Sequence, residues 1–360
     1  MQTLAAILLP AAALLAVGCD QAENSATAPE TSHSAEPPFS HNGDENNHWP
    51  VTVHNGGRTL TFTEAPKRVV AMSQGDAELM VALGLKKQLV GYAWVSPSPV
   101  PTRYSRSLED VPVLAENMPS REVILAANPD FIIGTMRRSR DLWAQVGIKV
   151  YEDTDEQTPL PIKDRIYKTI RDISRIFGVA ERGRQLIHSM QSGIDAIAAH
   201  LQGIKDPVNV LVLSGPGSAG ATAATFGPHS LPSRLVELAG GNNVFGQLDD
   251  YYVQISWEKV IAKNPDVLVL TYCCGQREGA KNFIASKRAL QSMSAVRNGR
   301  YVLVPIMDLN SMMRFLQGLQ KMARGFYPDR FRTMDGDPRR IRAAPSRPPM
   351  PARAMKASTQ

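Results

Sequence analysis

The side chains that could do chemistry are scattered, and their spacing argues against turnover. Gly215-Pro216-Gly217-Ser218-Ala219-Gly220 follows an apolar run and formally matches a dinucleotide-binding fingerprint. Pro216 stands inside that turn, and Gly227-Pro228 leaves only a handful of residues where a full crossover helix is required. Ser218 is not a nucleophile elbow, because Pro216 replaces the first glycine of that motif. Cys273-Cys274 closes another apolar run, with two buried thiols or a strained vicinal disulfide as the alternatives. Asp308 and Cys273 have only His229 as a histidine in the second half of the folded body, too little for an activated nucleophile with its base. His33, His41, His48 and His54 are spaced along a polar stretch, as solvated residues or a loose metal scavenger, and no clustered His and acid set marks a bound ion. What recurs instead is a ring or a guanidinium just after an apolar run. Tyr92 and Trp94 follow LVG, Met136, Arg137 and Arg138 follow FIIG, and Tyr272 and Cys273 follow VLVL. Asp308, Met312 and Arg314 follow YVLVP, while Tyr251 and Tyr252 stand just before the segment that opens at Ser256. Rings supply flat apolar contact and arginines supply planar, charge-assisted bonds, which is the chemistry of holding an organic ligand. Trp94, Tyr252, Arg138 and Arg314 are the leading candidates, with Tyr92 and Tyr272 beside them.

The elements that must position these residues announce themselves by repetition. Ser120 to Ile133 (SREVILAANPDFII) reappears 136 positions later as Ser256 to Val269 (SWEKVIAKNPDVLV), with six identities. In each copy a serine suits a helix N-cap, and Glu122 or Glu258 falls in the first turn, where the helix dipole favours an acid. Apolar residues follow for two turns, and Asn-Pro stops the helix because proline biases the preceding residue toward extended geometry. An aspartate then leads into an apolar run that reads as a buried parallel strand. Each half also opens alike, with RVVAMS from Arg68 and NVLVLS from Asn209, each followed by a helix ending in glycine. The fold class expected is therefore α/β, with a parallel sheet flanked by helices in each of two lobes.

Between the halves, residues 180–204 carry no strand signal. Leu186, Ile187, Met190, Ile194, Ile197 and Leu201 recur at helical steps, predicting one long amphipathic connector. The preceding segment repeats isoleucine at 162, 166, 170 and 173 and closes the first lobe at Gly178. The expected organisation is a signal segment at 1–18, a flexible linker at 19–48, an N-terminal lobe at 49–179, the connecting helix at 180–204, a C-terminal lobe at 205–331 and a basic tail at 332–360. Residues 1–47 hold six acids and no Lys or Arg, and the tail holds seven bases and two acids, which leaves +7 on residues 48–331. A moderately basic body suits an anionic ligand. Nucleic acid is disfavoured as a partner, since no basic helix or aromatic-spaced basic motif of the known modules is present.

The apolar run Leu4 to Val17 is too short to span a bilayer and reads as the core of an export signal. Ala16-Val17-Gly18-Cys19 resembles the bacterial lipobox, which implies lipidation of Cys19 and anchoring to the cell membrane on its outer side. A plain secretory signal with Cys19 as an odd thiol is the alternative. Taken with PKRVVAMSQGDAELMVALGL, LVGYAW, ANPDFIIG, LVELAGGNNVF, QISWEKVIAKNPDVLVL and VRNGRYVLVP, residues 50–331 resemble the helical-backbone class of periplasmic binding proteins. That resemblance implies a monomeric, non-enzymatic binding protein without a resident cofactor. Its ligand would be a ferric siderophore or similar metal chelate, handed to an ABC permease dimer with its ATPase. Haem or cobalamin is the alternative within the class, and a secreted enzyme on the same scaffold the alternative outside it. The resemblance further implies that Glu122 and Glu258 dock onto permease arginines, one per lobe.

Overall fold

The structure, a computed structural model, describes residues 49–95, 103–134, 142–152, 162–214, 222–248, 250–272 and 277–331. Cys19, Met136, Arg137, Arg138, the 215–220 loop, Cys273, Cys274, the linker and the tail lie outside those residues.

The first half opens with an antiparallel hairpin of β1 (Val51–Asn55) and β2 (Arg58–Phe62). Then come β3 (Val69–Ala71), α1 (Gln74–Ala82), β4 (Leu89–Ala93), β5 (Val113–Ala115), α2 (Arg121–Ala126), β6 (Phe131–Ile133) and β7 (Lys149–Tyr151). Five of these strands form a parallel sheet in the order β5-β4-β3-β6-β7. α3 (Ile162–Ile176) turns Ile166, Ile170, Ile173 and Ile176 into the core and gives way to Gly178 at φ 73°. α4 (Ala180–His200) is the connector; its 21 residues make a rod of about 31 Å, and Leu186, Met190, Ile194 and Ile197 form its buried stripe.

The second half comprises β8 (Val208–Leu213), β9 (Thr222–Phe226), α5 (Leu231–Leu238), β10 (Gly241–Asn243), β11 (Tyr252–Ser256), α6 (Trp257–Lys263), β12 (Val267–Tyr272), β13 (Tyr301–Pro305), α7 (Met307–Asn310) and α8 (Phe315–Phe326). Its main sheet is parallel in the order β10-β8-β12-β13. β9 and β11 pair antiparallel as a separate ribbon, which the alternation of strands and helices did not foretell. The architecture is α/β, two lobes each built on a parallel sheet flanked by helices and joined by one long helix.

Side-chain alternation along the strands decides where the core lies, because successive residues face opposite sides of a sheet. Val69 and Ala71 in β3, like Val210 and Val212 in β8, face one continuous core that also takes in α3, α4 and α8. Val70 and Met72 face a smaller outer core capped by Ile124 of α2, and Leu211 and Leu213 face another capped by Val260 of α6. Residues of both lobes thus contribute to one continuous core. The repeated helices cover the outer face of each sheet, so Glu122 and Glu258 stand on different sheets.

Inside each repeat the grammar holds, with one correction. Ser120 and Ser256 cap their helices, each hydroxyl accepting the N–H three residues on at 3.4 Å. Asn128 and Asn264, expected to be extended before proline, are left-handed at φ 47° and 41°. Asparagine tolerates that region, and there its N–H still reaches the last turn, from Asn128 to Leu125 O at 2.9 Å and from Asn264 to Ile261 O at 3.1 Å. The aspartate does more than lead into a strand. Asp130 accepts the backbone N–H groups of Lys67 and Arg68 at 2.8 and 3.0 Å, and Asp266 accepts that of Asn209 at 2.9 Å. Each copy therefore fixes the start of its lobe's central strand.

Candidate ligand-binding site

Parallel strands place their carboxyl ends on one edge of a sheet, and ligands of open α/β folds bind beyond that edge. Here the two edges meet across a cleft with a cavity of about 480 Å³. From the first lobe it is lined by Ser73, Gly75 and Asp76 at the start of α1, Trp94 after β4, and Arg165 and Ile166 of α3. From the second lobe come Leu231 of α5, Tyr251 before β11, and Ile306, Met307, Asn310, Ser311 and Met312 around α7. The described lining is mainly apolar and aromatic, with Asp76 and Arg165 as its charged groups.

Each wall has a local cause. Ser73 caps α1 by accepting the Asp76 N–H at 3.1 Å, while its own hydroxyl donates to Asp76 Oδ2 at 2.6 Å. The carboxylate lies against Gly134, where a Cβ would sit 2.0 Å from Oδ2, so the residue that follows β6 must be glycine. Trp94 is 47% exposed and holds φ at 48°, a strained value for a bulky residue, just past the end of β4. Tyr251 is 51% exposed and meets Phe226 edge-on, with centroids 6.3 Å apart at 87°. Its carbonyl accepts the Gly227 N–H at 3.1 Å; a Cβ on Gly227 would sit 1.9 Å from the Asp250 carbonyl, so this close crossing of backbones needs glycine. Arg165 Nη2 reaches across the cleft to the His229 carbonyl at 3.4 Å.

The residues expected at strand ends divide between the cleft and its support. Trp94 and Met312 line the cavity, as does Tyr251, while Tyr252, 47% exposed and edge-on to Phe226 at 5.6 Å, is not in the lining. Tyr272 is half-buried, and its carbonyl accepts the Ile306 N–H at 3.0 Å, which fixes one lining residue. Arg314 and Tyr92 stand behind the cleft rather than in it. Arg314 is wholly enclosed: its Nε donates to both carboxylate oxygens of Glu78 at 3.1 Å, and Nη2 bonds Oε1 as well. Gln74 Nε2 adds a bond to Glu78 at 3.2 Å. Tyr92 is buried, and desolvation, with the Glu78 charge adding to it, pushes its phenol above the ordinary value. The 311–314 segment packs directly on α1, so a guanidinium following that turn meets a carboxylate of the other lobe before it can meet solvent. Asp308 is likewise buried and bonded to Lys321.

Sequence reading missed Asp76, Arg165 and Glu78. Strand ends were the only guide, and all three sit on helices. Glu78 did leave a signal, since it stands inside the otherwise apolar run Ala77 to Leu83 and, once that helix is buried, needs a partner for its charge. Away from the cleft, Glu122 and Glu258 are both exposed. In each, the residue's own backbone N–H and then the N-cap serine hydroxyl hold the carboxyl below its usual range.

A family profile described as periplasmic binding protein matches residues 69–305, from the start of β3 to the end of β13. The chain belongs to the periplasmic binding protein family. Among relatives of this binding protein, an uncharacterized ABC transporter substrate-binding lipoprotein of Bacillus subtilis is 24% identical over 294 residues, covering 79% of this chain and 88% of its own. A vitamin B12-binding protein of Yersinia pseudotuberculosis is 25% identical over 224 residues, covering 61% of this chain and 75% of its own. Among solved structures, an ABC-type Fe3+-hydroxamate transport system protein of Saccharomonospora viridis superposes with a TM-score of 0.65 at 24% identity, covering 78% of this chain and 99% of that one. In this binding protein the family region thus contains every described residue that lines the cleft except Ile306 to Met312, which lie just beyond it.

Proposed function

We propose that this binding protein is the substrate-binding lipoprotein of an ABC importer, taking an iron(III) siderophore into the interlobe cleft and delivering it to the permease. The observation that carries the reading is the cleft itself. It has the volume of a small-molecule site, an apolar and aromatic wall, and sparse, placed polar groups. Trp94 and Tyr251 supply flat contact from opposite lobes, and Ser73 and Ser311 stand in the described lining without a histidine to activate them. That set of groups suits stoichiometric binding. Haem or cobalamin is the second reading, and the vitamin B12-binding relative favours cobalamin.

Delivery requires docking, and Glu122 and Glu258 fit that role as exposed acids on equivalent helices of the two lobes. Export and anchoring through Cys19 would hold the protein at the outer side of the cell membrane, with the acidic linker as a tether. Titration of tryptophan fluorescence with ferric hydroxamates, ferric catecholates, haem and cobalamin tests the ligand class. A ferric siderophore should quench at one equivalent, the quench should shrink in Trp94→Phe, and the chelate should be recovered unchanged. Turnover of the chelate would replace the binding reading with an enzymatic one. Reversal of both Glu122 and Glu258 should abolish permease-stimulated ATPase activity while leaving ligand affinity intact.

A further inference from the structure

Arg165 is poorly explained by the fold. It lies in the first turn of α3, the end of a helix where the dipole disfavours a cation. No carboxylate among the described residues pairs with it. Of the five N–H donors on its guanidinium, one reaches the His229 carbonyl at 3.4 Å, near the limit of a hydrogen bond, and Nε is buried with no acceptor among the described residues. A buried donor left without a partner asks for a role beyond packing. The side chain nevertheless lines the cleft and touches both lobes.

We propose that Arg165 is the anion-recognition residue of the cleft, taking a carboxylate carried on the periphery of the chelate. This rests on the chelate-binding reading above. A carboxylate matches the planar fork of a guanidinium with two parallel bonds, which a lysine ammonium reproduces only as a point charge. The N-terminus of α3 adds positive potential at the same place. Asp76, bonded to Ser73 at the start of α1, is the other charge of the described lining, and its carboxylate selects against a second anion beside it. The ligand therefore carries its anionic group on the α3 side and its neutral face toward α1. Because Arg165 already spans from α3 to the loop before α5, a carboxylate held there ties the two lobes together through the ligand.

The test compares chelates with and without a carboxylate on the wild-type protein, Arg165→Met and Arg165→Lys. Haem and a carboxylate-bearing ferric siderophore form one arm; cyanocobalamin and a neutral ferric trihydroxamate form the other. Wild type should bind at least one carboxylate-bearing chelate. Arg165→Met should weaken it tenfold or more and flatten its salt dependence, Arg165→Lys should restore part of the loss, and any neutral chelate that binds should keep its affinity within about twofold. Melting temperatures run alongside, and Arg165→Lys carries the comparison should the methionine variant unfold. Equal loss for neutral and anionic chelates, no loss at all, or a wild type that binds only neutral chelates would overturn the assignment and leave the chelate reading standing. A wild type that binds none of the four would remove the chelate reading itself.

Discussion

Glu78 and Arg314 lie 236 positions apart in sequence and meet with no exposed surface on either side chain. Both charges give up hydration, and close, multiply bonded geometry is what offsets that loss. Removing one partner strands the other. Arg314→Met should destabilise the protein by about 3–5 kcal/mol, and the double variant Glu78→Leu with Arg314→Met should recover most of it, as measured by urea denaturation. A single variant that unfolds at the wild-type midpoint would show the pair to be dispensable. Tyr92 was expected to meet ligand and instead shares this enclosed neighbourhood. Burial and the Glu78 charge raise its phenol, so it stays a neutral ring at physiological pH.

The repeated strand–helix module shows how short elements are held in place. Asn128 occupies the left-handed region at the end of α2, so a Cβ-bearing residue without a local polar group should be strained there. Asn128→Ala should cost about 1 kcal/mol and Asn128→Gly close to nothing, a difference readable from paired denaturation curves. At the other end of the same helices, Glu122 and Glu258 have lowered folded-state pKa values, their own backbone N–H being the first cause. The sign follows from linkage: each acid contributes stability above its unfolded pKa, and the contribution is lost as pH falls through the lower folded value. Carbonyl-carbon NMR titration should find both carboxyls still ionised at a pH where an unperturbed glutamate is half protonated. Docking that depends on these charges should persist into the same mildly acidic range.

At the scale of the whole described body, the shared inner core and the α4 rod set what motion is available. A hinge would have to open a core to which both lobes contribute and break a buried ion pair behind the cleft. Two consequences can be measured. Thermal unfolding should be one cooperative transition, with coincident near-ultraviolet and far-ultraviolet signals. Small-angle scattering should show only slight compaction when ligand binds. Two resolved transitions, or a large decrease in the radius of gyration on ligand addition, would mean that the lobes move as separate bodies.

The sequence by itself determined whatever depends on neighbours along the chain. Helix caps, the isoleucine ladder of α3, the buried stripe of α4 and the repeated serine, glutamate, asparagine and aspartate are local patterns with local causes, and they were legible as an α/β duplication on a helical rod. It also marked Trp94 correctly as following a strand end, and Glu122 and Glu258 as lying in first turns. Only the tertiary structure decided which polar groups face the cavity and which face each other. Arg314 went to Glu78, Tyr251 rather than Tyr252 entered the lining, and Arg165 arrived from a helix that no strand-end rule points to. The physical reason is that burial is a property of the packed pair: a charge sits where an opposite charge from the other lobe can replace its water, and one chain segment read alone holds no record of that partner.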